Sequence, residues 1–261
     1  MSVLDRFSLF GKTALVTGGA GLYGRQITAA LAEAGAQTFI AARNRDAVES
    51  LASEYQGRGL DVIALQYDQG QETSILTLRD ELLNRSSRID VLVNNAVLRP
   101  MSQGYADSAE AFEESMRVNA TGLFLITRAF GDVMAMAGSG SIINVGSIQG
   151  MVGPDATLYQ NTGVHGWYPD YFFHKGGMVN LTRLVASYYG ASGVRCNCIS
   201  PGGFWTDDAP EEFVRRYSDR TFLGRMANDT DLMGLIVFLA SDASFYVTGT
   251  NIPVDGGYTA K

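Results

Sequence analysis

Apolar residues along the chain fall in short unbroken runs rather than in strict alternation with polar ones. "TALVT" (13–17), "QTFIAA" (37–42), "DVIALQYD" (61–68), "IDVLVNNA" (89–96), "GSIINVGS" (140–147), "GVRCNCIS" (193–200) and "TNIPVDG" (250–256) each read as a strand. Runs this apolar are buried on both faces, as in a sheet covered by helices. Between them lie stretches with the helical period, at 23–34, 45–56, 72–86, 108–137, 170–191 and 229–240. Strand–helix alternation with right-handed crossovers predicts an α/β fold of Rossmann type: a doubly wound, parallel, seven-stranded sheet with helices on both faces. No linker, repeat or low-complexity stretch breaks the pattern, so residues 1–261 read as a single domain. In such a fold, ligands sit at the carboxyl ends of the strands, which makes the strand-ending residues the ones to inspect.

Composition changes this picture little. At 46% apolar and 18% charged residues, the chain resembles an ordinary soluble globular protein. The formal net charge of −7 argues against nucleic acid or an anionic membrane as partner, because both select clustered Lys and Arg; a small-molecule substrate is left open. No apolar run approaches membrane-spanning length. The opening "MSVLDRFSLF" carries Asp5 and Arg6 without a long apolar core, so a cytoplasmic location is expected. Cys196 and Cys198 stand two apart in one strand and share a face, which reads as two small core residues. No His or carboxylate is placed beside them to complete a metal site, and no metal is expected.

The first strand end carries the strongest local signal. "TGGAGLYG" (17–24) follows an apolar strand and opens a helix. Gly18 permits a tight turn, Gly21 lets backbone approach a pyrophosphate, and Gly24 lets the helix pack closely on the sheet. The helix N-terminus then offers N–H groups and a positive dipole end to phosphate. Gly18, Ala20, Gly21, Leu22, Tyr23 and Gly24 are therefore expected to bind a dinucleotide. The second strand should end in Asp or Glu if a ribose 2′-OH is read there. It ends instead in Ala41 and Ala42, followed by Arg43. A guanidinium suits a 2′-phosphate where an acid would repel it, so NADP(H) is favoured over NAD(H), with NAD(H) possible.

With these residues in place, the chain resembles the short-chain dehydrogenase/reductase family from Lys12 to about Thr259. The marks occur in order: "TGGAGLYG", Asp68 ending the third strand, "NNA" at 94–96, Asn119 in "RVNATG", Ser147 in "NVGS", Tyr171 and Lys175 in "YFFHK", "SPGGFWT" at 200–206, and "VTGTNIPVDGGY" at 247–258. The resemblance implies that Asp68 lies beside the adenine and that Asn95, Ala96, Pro201, Gly202 and Phe204 contact cofactor. It further implies that Thr206 holds the nicotinamide amide. Two features depart from the family pattern. The glycine spacing T-G-x-x-G-x-x-G places Leu22 where ordinary members have the second glycine, and looks like that of nucleotide-sugar epimerases. The interval from Ser147 to Tyr171 is about twice the family's usual length.

Tyr171 and Lys175 are i and i+4 on one helix, so they share a face. A free phenol, with a pKa of about 10, is a poor base at neutral pH. A neighbouring ammonium favours the phenolate. Tyr171 is thus the expected acid/base at a carbonyl or alcohol oxygen, with Ser147 donating a hydrogen bond to the same oxygen. The resemblance implies that Asn119 holds a water linking Lys175 to solvent and that Lys175 binds the nicotinamide ribose as well. His174 points away from Lys175 and reads as a packing or subunit-contact residue.

The lengthened segment 154–170 mixes aromatic with hydrogen-bonding residues, which suits a polyhydroxylated ligand; Tyr159, His165 and Trp167 are its substrate candidates. Residues 204–225 read as a lid, with Trp205, Phe213 and Arg216 as contacts; Asp207 and Asp208 would disfavour an acidic substrate if they faced it. The expected activity is hydride transfer between nicotinamide and a carbonyl or secondary alcohol of a sugar, sugar-acid or polyol-like molecule. The alternatives are a nucleotide-sugar epimerase or dehydratase, and a non-catalytic dinucleotide-binding regulator. The resemblance also implies a homodimer or homotetramer formed through helices 108–137 and 170–191.

Overall fold

Each of the seven apolar runs forms a strand in the structure, a computed structural model that describes residues 2–164 and 166–260. The strands are β1 (Thr13–Thr17), β2 (Gln37–Ala42), β3 (Val62–Gln66), β4 (Val91–Asn94), β5 (Gly140–Val145), β6 (Val194–Pro201) and β7 (Asn251–Val254). They pair in the order β3-β2-β1-β4-β5-β6-β7, every pair parallel. The order reverses between β1 and β4, so a crevice opens there at the carboxyl ends of both strands.

Four strands, β3, β4, β5 and β7, end two residues sooner than the apolar pattern suggests, and after β3 and β4 the next residues bond elsewhere. After β3, the Asp68 carboxylate accepts the Gly70 N–H at 2.9 Å, which turns the chain out of the sheet. After β4, the N–H groups of Asn95 and Ala96 both donate to Thr17 Oγ1 at 3.0 Å instead of extending the ladder.

The helices are α1 (Leu22–Glu33), α2 (Arg45–Gly57), α3 (Glu72–Ser86), α4 (Ala109–Met116), α5 (Leu123–Ala137), α6 (Ala156–Tyr159), α7 (Pro169–Tyr189), α8 (Glu211–Ser218) and α9 (Met233–Ala240). Successive strand residues point to opposite faces, and each face has its own core. Val16 and Ile40 pack with Ile27, Leu31 and Ile236 on the side of α1, α2 and α9. Leu15 and Phe39 pack with Leu78, Phe130, Met134 and Tyr189 on the side of α3, α5 and α7. Cys196 and Cys198 are both buried in β6 as free thiols.

The stretch expected as one helix over 108–137 begins with Ser108 capping α4 and continues through α5, but residues Arg117–Gly122 between them widen to a π-helix. Taken together, Ala109–Ala137 is long and apolar enough, by length and composition, to cross a membrane, which corrects the expectation that no segment approaches that length. Its apolarity has a local cause: Ile126, Phe130 and Met134 are fully buried against the sheet, while Phe124 and Met136 stand exposed on other sides of the same helix.

Candidate active site

A cleft of about 600 Å³ runs along the carboxyl ends of the strands, from the glycine-rich turn to the start of α7. Gly18, Ala20, Gly21, Leu22 and Tyr23 line one end, together with Asn95, Ala96, Pro201, Gly202 and Phe204. Gly18 has a left-handed φ of +65°, and a Cβ there would lie 2.9 Å from Ala96 Cα. Gly21 caps α1 without any side-chain hydrogen bond, so the first amides of the helix are left for another acceptor. Neighbouring strands brace the turn: Asn95 Nδ2 donates to the carbonyls of Thr17 and Gly18 at 3.1 and 2.9 Å. The Tyr23 hydroxyl donates to Gly202 O at 2.8 Å and so joins the glycine turn to the proline-glycine turn.

Four of the expected cofactor residues, Gly24, Arg43, Asp68 and Thr206, do not line the cavity; Gly24 instead packs against the backbone of the turn. Asp68 spends its carboxylate on Gly70, Thr206 accepts from Ala209 N through its carbonyl, and Arg43 is exposed, with Ala42 and Asn44 forming that wall. Among the described residues no ion pair or hydrogen bond engages the Arg43 guanidinium.

At the other end, Ser147, Tyr171 and Lys175 share one wall. Ser147 ends the β5 segment and caps the short 3₁₀ turn Ile148–Gly150, its Oγ accepting the Gln149 N–H at 3.1 Å. Pro169 starts α7, where a missing N–H costs nothing, and one turn later the helix presents Tyr171 and Lys175 on the same side. The Lys175 ammonium is buried, donates to Val145 O at 2.6 Å and lies 5.6 Å from the Tyr171 ring centre.

Asn119 lies in the π-helical turn, and its side chain is fully engaged. Its Oδ1 accepts the Leu98 N–H at 2.9 Å, while Nδ2 donates to Leu98 O at 2.7 Å and to Ser115 Oγ at 2.9 Å. Ser115 in turn donates to the Asp170 carboxylate at 2.5 Å. The Asn119 side chain therefore clamps the loop after β4 to the start of α7. The residue after the clamped Leu98 is Arg99, which the sequence reading missed. Its guanidinium carbon lies 4.5 Å from the Tyr171 ring centre and its side chain lines the cavity.

These groups set the electrostatics of Tyr171. Burial pushes its pKa up, but the positive charges of Lys175 and Arg99, with hydrogen bonding from Ser147 and Arg99, outweigh burial and bring it below the ordinary phenol value. Burial draws the Lys175 pKa below its usual range, reinforced by Arg99 and opposed by Tyr171. The pairing suits general acid/base work at an oxygen placed between Ser147 and Tyr171.

His174 packs edge-on against Tyr171 at 5.2 Å, buried, and neither ring nitrogen has a hydrogen-bond partner. Burial, then the Lys175 and Arg99 charges, press its pKa down to about 3. The unfolded chain protonates this residue near pH 6.5. Between that value and the folded one, the unfolded state binds more protons, so stability falls as pH falls. From pH 7.5 to 5.5 the wild-type protein should lose about 1.4 kcal/mol from this residue. Urea unfolding at both pH values should show His174→Leu losing that much less; equal losses in the two proteins would rule the effect out.

The long segment before α7 folds over the mouth of the cleft. Asp155 caps α6 and pairs with Arg220 at 2.5 Å, and Arg216 donates to the carbonyls of Thr157 and Gln160 at 2.7 Å. Arg216, expected at the ligand, instead ties the helical part of the 204–225 segment to this loop. Tyr159 and Phe213 line the cavity, their rings 5.8 Å apart. Trp167 and Trp205 do not: Trp167 packs its ring on Tyr159, Trp205 is held through its backbone by Ala227, and both remain largely exposed. Asp207 and Asp208 are exposed outside the cavity, so they do not face it. His165 lies outside the described residues.

The residues present fit a dinucleotide. The turn has a tight shape that Cβ atoms at Gly18 and Gly24 would break by collision with neighbouring backbone, an uncapped helix end adjoins it, and the cavity volume lies within the range of ligand sites of about 300–1,000 Å³.

Comparison with known proteins agrees. A family profile described as enoyl-(acyl carrier protein) reductase matches residues 21–259. The chain is 31% identical over 267 residues to the gluconate 5-dehydrogenase of Gluconobacter oxydans (strain 621H), covering 100% of both. It superposes on a short-chain type dehydrogenase/reductase from Mycobacterium marinum with a TM-score of 0.89, at 32% identity and 100% coverage of both chains. It superposes as well on a gluconate 5-dehydrogenase from Burkholderia cenocepacia J2315 in complex with NADP and tartrate, with a TM-score of 0.88, at 31% identity and 100% coverage of both.

Proposed function

The chain belongs to the short-chain dehydrogenase/reductase family and is a nicotinamide-dependent oxidoreductase of alcohols or ketones; from that premise we propose that its substrate is a polyhydroxylated small molecule, a sugar, sugar acid or polyol, and that it prefers NADP(H). The observation that carries the substrate class is the lining of the cleft around Tyr171. It combines aromatic side chains (Tyr159, Tyr168, Phe213) with polar ones (Gln149, Ser147, Arg99), as binding of a hydroxyl-rich ring or chain requires.

A nicotinamide bound in the cleft supplies or accepts the hydride. Gly18 to Gly24 and the first amides of α1 would hold the pyrophosphate, Asn95, Ala96, Pro201 and Gly202 the middle of the cofactor, and Lys175 its nicotinamide ribose. Ser147 donates a hydrogen bond to the reacting oxygen of the substrate. In oxidation, the Tyr171 phenolate takes the proton of that hydroxyl; in reduction, the phenol returns it to the oxygen of the former carbonyl. Lys175, anchored on Val145 O, keeps the phenolate favoured through its charge. Residues 154–170 and 204–225 act as substrate loop and lid, pinned together by Arg216 and Arg220. Exposed Phe124, Phe173, Leu184 and Tyr188 on α5 and α7 support a homodimer or homotetramer through those helices.

The cofactor preference rests on Arg43 standing without an ion pair at the acid-free end of β2. Panels of sugars, sugar acids and ketones with NADPH or NADH would test the activity. Arg43→Ala should weaken NADPH binding by about 10–100-fold and leave NADH unchanged. Equal wild-type affinity for both dinucleotides would overturn the preference.

A further inference from the structure

Three side chains in the cleft can carry formal charge as Asp, Lys or Arg, and two of them are already partnered. Asp155 is held by Arg220 and Thr157, and Lys175 donates to Val145 O. Arg99 is different. Among the described residues it makes no ion pair with any carboxylate, although it stands in the cleft over the ring of the reacting tyrosine. Its place is fixed from behind: both backbone polar groups of Leu98 bond to Asn119, which is tied through Ser115 to Asp170 on α7. A guanidinium over the ring of the reacting tyrosine, next to a backbone position fixed by a buried polar chain and without a carboxylate partner among the described residues, is suited to receive one.

We propose that Arg99 binds a carboxylate of the substrate, so that this enzyme acts on polyhydroxylated acids in preference to the matching neutral polyols. The inference rests on the oxidoreductase reading above and narrows it. The planar guanidinium is suited to a two-point grip on a carboxylate. Contact with the Tyr171 ring limits its freedom to swing away. The carboxylate would then sit beside the carbon whose hydroxyl meets Tyr171 and Ser147. Asp207 and Asp208 point no charge into the cavity, and the Asp155 carboxylate is neutralised by Arg220, so among the described residues no unpaired carboxylate on the walls repels an anion.

The test compares D-gluconate with D-sorbitol, which has the same carbon chain with the carboxylate replaced by a hydroxymethyl group. Calorimetric titration into enzyme loaded with NADPH measures binding without turnover, and steady-state oxidation with NADP⁺ measures KM and kcat. Wild type should bind gluconate about 10–100-fold more tightly than sorbitol. Arg99→Met should remove that difference by weakening gluconate binding far more than sorbitol binding, and Arg99→Lys should keep part of it; kcat should fall for both substrates, because Arg99 also acts on Tyr171. Equal binding of the two by wild type, or a gluconate preference that survives Arg99→Met, overturns the proposal. Oxidation of sorbitol with no preference for gluconate sinks the carboxylate site and leaves the oxidoreductase reading standing. A gluconate preference lost in Arg99→Met, with no hydride transfer to any alcohol in the panels, upholds the site and sinks that reading. Circular dichroism of the variants separates lost binding from lost fold.

Discussion

Tyr171→Phe is expected to lower kcat by about 10²–10⁴-fold, the range for removing a general acid/base, while dinucleotide affinity stays unchanged. The substitution keeps the ring, its contact with His174 and the face under Arg99, and removes only the oxygen that moves the proton. The pH profile gives a second readout. Tyr171 is brought below the ordinary phenol pKa despite its burial, because two cations and two hydrogen-bonding side chains oppose the burial. In the oxidative direction, the rate should rise with pH through an apparent pKa below about 10 and then level off. Lys175→Met should shift that limb upward by about one to three units, since a neighbouring opposite charge is worth that much to an ionised group. Full hydride-transfer activity in Tyr171→Phe would sink the mechanism.

The sequence made the sheet legible because burial on both faces leaves continuous apolar runs, and all seven of those runs became strands. It was less informative where hydrogen bonding, rather than burial, decides. The pairing of Asn95 and Ala96 with Thr17, and the π-helical widening at Arg117–Gly122, follow from tertiary partners that no local period encodes. Helix α8 was hidden inside a charged stretch because its stabilising contacts, Arg216 and Arg220 on the loop before α7, lie more than fifty residues away in sequence. Ser147, Tyr171 and Lys175 were visible as strand-end and i,i+4 signals, and they meet on one wall. Arg99 was not, although it follows a strand end by five residues. What marks it is its unpaired charge over a particular ring, which exists only in three dimensions. Trp167 and Trp205 show the converse: aromatic character suggests a ligand wall, but ring contact with Tyr159 and backbone anchoring to Ala227 place these exposed side chains outside the cavity lining.

Gly24→Ala should be the most damaging single methyl in the cofactor site. A Cβ there would stand 2.2 Å from Gly18 O and 2.7 Å from Gly19 O, both backbone atoms of the turn that would hold the pyrophosphate. Neither can yield by rotating a side chain. Gly18 O also accepts from Gly21 N at 3.0 Å and from Asn95 Nδ2 at 2.9 Å, so displacing it disrupts the bonds that shape the turn and brace it on β4. Helix α1 cannot easily shift instead, because Ile27 and Leu31 are fully buried between sheet and α9. Overpacking of this kind costs about 1–3 kcal/mol of stability. The same strain should weaken NADPH binding by about 10–100-fold, because a phosphate cradle made of backbone N–H groups tolerates little displacement. Gly57→Ala is the matched control: it adds the same methyl at the end of α2, where a Cβ meets nothing within 4 Å. It should leave NADPH binding unchanged, and removing a glycine's freedom from the unfolded chain stabilises by about 0.4–1 kcal/mol. Fluorescence titration with NADPH, alongside urea unfolding, reads both effects. If Gly24→Ala binds NADPH as Gly57→Ala does, the close approach at Gly24 is not what holds the turn in its binding shape.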